Sequence, residues 1–230
     1  LLTEHEWWGK IREPTYDEIA HTPFFLWDPR SGVRGEHRTA LSQTIDIAPT
    51  LLDFFGIEIP KDVMGKPLKG VVAADEKIRD YALFGMHGFH VNITDGRYVY
   101  MRVPVREHLD EIYDYMQTPT SYPNSVTLEK LRKSEYVPGF SFTKGTPLLR
   151  VPGNTMGMIS DDPESLYGPD GLYEGGNLLF DLENDPKQLH PLHDEKTEQR
   201  MVQAMTQLME ENETPEEQYV RLGLELSKKM

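Results

Sequence analysis

The 230-residue sequence predicts a mixed α/β (α+β) fold, and three observations carry the prediction. Up to about residue 70, helical and extended patterns alternate. From 81 to 102, three short extended runs follow one another, the last two joined through Thr94-Asp95-Gly96, and Asp-Gly is a strong hairpin signal. Apolar residues recur at helical spacing towards the C-terminus, with Met201, Met205, Leu208 and Met209 on one side of 194–211. Together these imply an α/β piece over 1–75 and an α+β piece over 76–230, with the boundary near 70–78.

Taken in order, Phe24-Phe25-Leu26-Trp27 is a short continuous apolar run of the kind found in strands buried on both faces. Asp28-Pro29 and Ser31-Gly32 break it. From Asp46 to Phe55 the pattern is helical: Asp46 can cap, Pro49 sits in the first turn, Leu51, Leu52, Phe54 and Phe55 supply an apolar face, and Gly56 ends it. Tyr81–Phe84, Phe89–Ile93, Arg97–Arg102 and Leu178–Phe180 read as strands. Leu109, Ile112, Tyr113 and Met116 at i, i+3, i+4, i+7 predict an amphipathic helix over 105–117. The Pro- and Gly-rich stretch 119–177 holds one short helical pattern, near 126–134, and 103–177 reads as a long loop insertion. A last helix is expected over 215–228. No internal repeat or low-complexity tract is present.

Composition narrows the function. Lys plus Arg number 24 against 38 Asp plus Glu, a net charge of −14, so neither nucleic acid nor an anionic membrane surface is an expected partner. No apolar run approaches the roughly 18 residues of a membrane helix. Cysteine is absent, which excludes disulfides, thiolate metal sites and a cysteine nucleophile. The chain opens at Leu1-Leu2-Thr3 and not at methionine, so the N-terminus of the protein is expected upstream and a missing leader carries no information on compartment.

Chemistry-bearing residues are densest in the first 28 positions: His5, Trp7, Trp8, Lys10, Arg12, Tyr16, Asp17 and His21. A lysine supplies a compact positive charge for a sulfate or phosphate oxygen. A histidine donates a hydrogen bond or moves a proton near neutral pH. Flanking indoles exclude water and strengthen both. The same stretch also reads as a surface loop whose tryptophans pack on the core, and spacing alone leaves both readings open. His87 and His90, in Met86-His87-Gly88-Phe89-His90, are candidates either for a substrate contact or for structural histidines.

Ordered motifs then point to a family. His5-Glu6-Trp7-Trp8-Gly9-Lys10, Tyr16-Asp17-Glu18 and His21-Thr22-Pro23-Phe24-Phe25-Leu26 resemble the E-H-x-x-W-x-K, Y-D/E and R/H-x-P-L-I segments of the sulfatases of the alkaline phosphatase superfamily. Ser42-Gln43-Thr44-Ile45-Asp46-Ile47-Ala48-Pro49-Thr50-Leu51-Leu52 resembles their V-S-x-I-D-I-x-P-T-L-L, and Met64-Gly65-Lys66-Pro67-Leu68 their G-x-S-L. Tyr98-Val99-Tyr100 after Asp95-Gly96, and Leu179-Phe180-Asp181-Leu182 before Asp185-Pro186, complete the resemblance, which is weakest over 103–177. It implies the end of the sulfatase α/β sheet followed by a small C-terminal antiparallel sheet packed with helices. It also implies sulfate-ester hydrolysis, with Lys10 and His5 as catalytic residues and His21, Trp7, Trp8, His87 and His90 on the substrate side. Formylglycine and calcium are the cofactors it implies for the whole enzyme.

The sequence departs from that family in one large respect. It has no cysteine and no Ser-x-Pro-x-Arg to become formylglycine; Ser121-Tyr122-Pro123-Asn124-Ser125 puts serine where arginine is required. The acidic stretches at Asp28 and Ser160-Asp161-Asp162 lack the family's metal context, so no residue is assigned to metal. The expectation is therefore the C-terminal portion of a sulfatase, inactive alone. Its sheet edge and apolar face would be covered by the missing N-terminal half or by another copy. Phosphoester or phosphonate monoester hydrolysis is the neighbouring reading, and a non-catalytic module binding sulfated glycans or partners the distant one; a C/S-x-P-x-R and metal aspartates upstream of Leu1 would separate them.

Overall fold

The computed structural model describes residues 2–9, 13–119, 126–153, 166, 171 and 173–225. The chain divides into two compact units. One comprises Leu1–Gly85, His90–Met101 and Asn177–Met205; the other comprises Met86–Phe89, Arg102–Gly176 and Thr206–Met230. Helices and antiparallel sheets are mixed, as the α/β reading requires.

The first unit is built on a four-stranded sheet of order β1-β2-β3-β7, where β1 is Ala82–Gly85, β2 Val91–Thr94, β3 Tyr98–Arg102 and β7 Leu178–Asp181. The Asp-Gly turn joins β2 and β3, with Gly96 at φ +95°, a conformation in which a Cβ is strained. β3 and β7 run antiparallel with Val99 opposite Phe180 and Met101 opposite Leu178. These four side chains form a buried cluster, against which Tyr16, Phe84 and Leu182 pack. The alternate residue Tyr100 is also fully buried, and its hydroxyl donates to Glu198 of the long helix Glu195–Glu211 at 3.1 Å. Burial on both faces accounts for the apolar runs of β3 and β7.

Ahead of the sheet lie three short helices, α1 Asp17–Ala20, α2 Ile47–Phe54 and α3 Lys69–Ala74. Gly56, at φ +67°, ends α2 as expected, with the Ile57 N–H reaching back to the Leu52 carbonyl at 2.9 Å. Asp46 does not cap α2 through its side chain. Its carboxylate, fully buried, instead accepts the Gln43 N–H at 2.7 Å, the Lys66 N–H at 2.8 Å and a two-pronged contact from Arg79 at 2.6 Å on each oxygen. Burial opposes its ionisation, but the guanidinium and the two backbone donors outweigh burial and hold the carboxyl below its ordinary value. Gly65 is required beside it, since a Cβ there would lie 2.0 Å from the Ile45 carbonyl oxygen.

The second unit holds a three-stranded antiparallel sheet of order β4-β6-β5, with β4 Tyr113–Met116, β5 Glu135–Val137 and β6 Leu148–Pro152. α4, Leu128–Arg132, falls within the helical pattern near 126–134, and Thr127 caps it. The helix Glu195–Glu211 is as read, with Met201, Met205 and Met209 buried; the last helix is Glu216–Arg221, shorter than the expected 215–228, and Gly223 at φ +59° follows its end.

Three expectations are overturned. The 105–117 helix is absent: Arg106–His108 is a single 3-10 turn, and Tyr113–Met116 is a strand paired with Leu149–Pro152. The i, i+3, i+4 pattern had a competing reading. Tyr113-Asp114-Tyr115 also alternates, and the cross-strand partners decide it. The stretch 119–177 is not one helix in a loop, since β5 and β6 both lie in it. Phe24–Trp27 is no strand, and Phe25 is 91% and Trp27 70% exposed. A strand needs a neighbour for its ladder, and among the described residues none lies beside it.

Candidate functional site

Residues 2–9 form a tight turn. Leu2 and Trp8 make an antiparallel bridge, and the Thr3 N–H donates to the Trp7 carbonyl at 2.9 Å. Thr3, His5 and Glu6 all have left-handed backbone, at φ +94°, +52° and +61°. Non-glycine residues there are strained by about 1 kcal/mol or more apiece, and such strain persists only where surroundings enforce it. The enforcing surroundings are aromatic. The His5 ring stacks on Tyr16 at 3.7 Å and 5°, Trp7 tilts against Tyr16 at 5.7 Å, and Tyr16 meets Phe180 of β7 edge-on at 6.0 Å. Burial, and then the charge of Glu18, push the Tyr16 phenol above its ordinary pKa, so it stays neutral and stacks as a neutral ring.

This stack presents His5 in a defined pose. Its side chain is 8% exposed, and Nε2 lies 3.4 Å from Glu18 Oε2. That contact is off the line of a hydrogen bond, and buried Nε2 has no hydrogen-bond partner among the described residues. An imidazole nitrogen so placed beside a carboxylate can donate to an oxygen of a bound ester, or hand it a proton.

The other predicted residues divide. Trp7 is half-buried within the stack; Trp8 is 78% exposed. Lys10 lies outside the described residues. His21 is open to solvent, with Nδ1 3.2 Å from Asp17 one helical turn back. His87 belongs to the second unit, where Nε2 lies 3.0 Å from Asp114 of β4, both partly exposed. His90 belongs to the first unit, is 1% exposed and faces Glu13. The structure thus groups His5, Trp7 and Tyr16, and keeps His87 in a different unit from them.

Sequence reasoning missed Glu13, Glu18 and Gln188. Gln188, 2% exposed, accepts the Asp17 N–H through Oε1 at 2.6 Å and so fixes the start of α1 from 171 positions away. No local pattern signals such a pairing. A cavity of about 310 Å³ elsewhere in the first unit, lined by Lys77, Asp80, Tyr81, Asp95, Arg97 and Arg200, contains none of the predicted residues. Its cations are already met by carboxylates: Lys77 by Asp80, Arg200 by Asp95 and Arg97 by Asp181. The described residues contain no group of three or more His, Asp or Glu placed to hold a metal ion.

Residues 3–135, more than half of the chain and spanning the stacked turn, α2 and β1–β3, match the family described as N-sulphoglucosamine sulphohydrolase, C-terminal. The chain belongs to that family. It is thus a sulfatase C-terminal domain, as the ordered motifs implied. It is 37% identical over 77 residues to an N-acetylglucosamine-6-O-sulfatase of Bacteroides thetaiotaomicron, covering 34% of this chain and 13% of that protein. It is 34% identical over 93 residues to an arylsulfatase of Clostridium perfringens, covering 39% of this chain and 19% of that protein. The chain therefore matches less than a fifth of either relative's length. Among solved structures, one described as in complex with its substrate D-glucosamine-2-N,6-O-disulfate aligns over 74% of this chain and 24% of that chain, at 13% identity and a TM-score of 0.38. A 2-O GAG sulfatase aligns over 78% of this chain and 26% of that chain, at 14% identity and a TM-score of 0.35. Likeness this loose transfers no site.

Proposed function

We propose that this chain serves a sulfatase that hydrolyses sulfate esters of sugars, and that the turn Leu2–Gly9 with Lys10 forms part of the ester site. The observation that carries this is His5: an imidazole stacked on Tyr16, strained in its backbone, with a buried nitrogen that hydrogen-bonds to nothing described. The sugar is supported by the relatives, one of them an N-acetylglucosamine-6-O-sulfatase.

In this reading His5 donates to the bridging or leaving oxygen of the ester while the Tyr16 stack holds the ring's orientation. Lys10 neutralises a sulfate oxygen. Trp7 and Trp8 shield the ester from water and offer flat faces to the sugar ring. His21 is proposed at the margin, for sugar groups beyond the ester, and His87, in the other unit, as a separate candidate sugar contact.

Formylglycine and calcium remain part of the proposal for the enzyme as a whole. The sequence holds no cysteine or Ser-x-Pro-x-Arg to become formylglycine, and the described residues bring no three metal donors together for calcium. No step of this chain is therefore routed through them. The exposed apolar surface of Phe25, Trp27, Leu51 and Phe55 supports association with a further part of the same protein or with a second copy.

The test is hydrolysis of glucosamine 6-sulfate and of an aryl sulfate by the natural protein and its His5→Ala and Lys10→Ala variants. Loss of kcat/KM of about 100-fold or more in both variants, at unchanged melting temperature, is the expected result for removal of positioned acid–base and electrostatic groups. Full activity in both variants overturns the site. Preference for a phosphate monoester over the sulfate ester moves the chain to the neighbouring chemistry.

A further inference from the structure

His90 and Glu13 are the two most deeply buried ionisable side chains near the stacked turn that its chemistry does not use. The His90 side chain is 1% exposed and that of Glu13 0%, with Nδ1 and Oε2 3.2 Å apart. The other oxygen of Glu13 accepts the Thr15 hydroxyl at 2.8 Å. Nδ1 and Oε2 approach outside hydrogen-bond geometry; burying a carboxylate and an imidazole is unfavourable unless they face one another, so the pair favours keeping the two segments together. His90 stands at the entry to β2, directly before Val91, which pairs with Gly85 of β1. Glu13 stands three residues before Tyr16, on whose ring His5 stacks.

Gly85 gives this arrangement a second, separate handle. Its φ is +143°, and a Cβ on it would come within 2.6 Å of the His90 carbonyl oxygen. The backbone at His90 is therefore set by the close approach of a residue that must lack a side chain.

We propose that the His90–Glu13 pair is a positioning device: His90 is a positioning residue that ties the segment bearing His5 and Tyr16 to the four-stranded sheet, and so sets where the His5 nitrogen points. The proposal rests on the reading of His5 as an ester-site residue. It assigns His90 no contact with substrate, which departs from its expected place on the substrate side.

The experiment reads the turn and the chemistry separately. Amide hydrogen exchange of Thr3, Glu6 and Trp7, whose N–H groups close the turn, is compared with that of β3 in the natural protein, Glu13→Gln, His90→Gln and Gly85→Ala. The three variants are expected to lose protection in the turn by about tenfold or more while β3 keeps its own, because the anchor opens locally and not globally. The double variant Glu13→Gln/His90→Gln, in which two amides can hydrogen-bond, is expected to regain part of it. On a sulfate ester, kcat falls up to about 100-fold with KM changed far less, as expected for a misplaced catalytic group. Unchanged turn protection in both Glu13→Gln and His90→Gln overturns the proposal. So does a loss spread equally over β3, which makes His90 a packing residue only. A His5→Ala variant with full activity overturns the ester-site reading instead, and leaves the exchange result standing as a statement about the fold.

Discussion

Two regions of the first unit, the four-stranded sheet and the segment 2–57 ahead of it, are held in different ways. The sheet is an apolar interior: Ile93, Tyr100 and Met101 are fully buried, and Val99 and Phe180 nearly so. Among its described residues the segment ahead of it has few buried apolar side chains, with Leu2, Trp8, Phe25, Trp27 and Phe55 at least 70% exposed. Its order comes from a few polar and aromatic anchors: Asp46 with Arg79, Glu13 with His90, Asp17 with Gln188, and Tyr16 on Phe180. A region held by anchors can keep a strained turn such as Leu2–Gly9, because a few directional contacts fix it without requiring a regular element. It is also more easily released locally than a packed sheet.

The largest test of this contrast is Arg79→Ala. Removing the guanidinium leaves Asp46 buried and uncompensated, and the expected cost is about 3–5 kcal/mol. Urea unfolding should show it. If the anchors organise only the segment ahead of the sheet, hydrogen exchange in the Asp46–Phe54 region rises while β2 and β3 stay protected. A loss shared evenly would mean that the two regions unfold as one.

Tyr16→Ala is next. Tyr16 is half-buried and packs on the Val99–Phe180 cluster, so its removal should cost about 1.5–3 kcal/mol. The effect on the turn should be disproportionate, since His5 loses the ring it stacks on. Tyr16→Phe keeps that ring and should leave both stability and the turn near natural values.

A smaller effect is set by pH at the sheet's edge. Asp181 closes β7, and the Arg97 guanidinium, then the Asn184 amide and the Glu183 N–H, hold its carboxyl at about 2 against the opposing influence of burial. In the unfolded chain the group titrates near 3.9. A carboxyl depressed on folding stabilises at pH values above the unfolded value, and that contribution fades as pH falls from about 4 through about 2. Melting temperature should therefore decline over that window, and Asp181→Asn should flatten the decline. An unaltered acid limb in Asp181→Asn would remove Asp181 from the account.

The same contrast explains what could be read from the amino acids. The sheet strands were legible because burial on both faces leaves apolar runs and because Asp95-Gly96 fixes a hairpin locally. The turn bearing His5 was legible as a cluster of chemistry, and the motifs at 42–52 and 64–68 identified its family context. Its geometry was not, because Glu13–His90 and Asp17–Gln188 join residues 77 and 171 positions apart and leave no periodicity. The helix read at 105–117 failed for a related reason. Leu109, Ile112, Tyr113 and Met116 fit a helical period while Tyr113, Asp114 and Tyr115 alternate, and only the partner strand β6, more than 30 residues downstream, decides between the two readings. Phe24–Trp27 carries the composition of a buried strand without one of the described strands to pair with.

Trp8→Ala gives the smallest expected change in stability and the sharpest separation of fold from chemistry. The side chain is 78% exposed, so little packing is lost, and the expected change lies within about 0.5 kcal/mol. Its backbone bridge to Leu2 needs no indole. If Trp8 is an arbitrary surface residue, hydrolysis of a sulfated sugar should be unaffected as well. If it shields the ester, KM for the sugar substrate rises while the melting curve stays in place. A stable protein that binds its sugar less well is the outcome that an anchor-held, outward-facing turn predicts. A drop in melting temperature of several degrees would instead return Trp8 to the core and shrink the difference between the two regions.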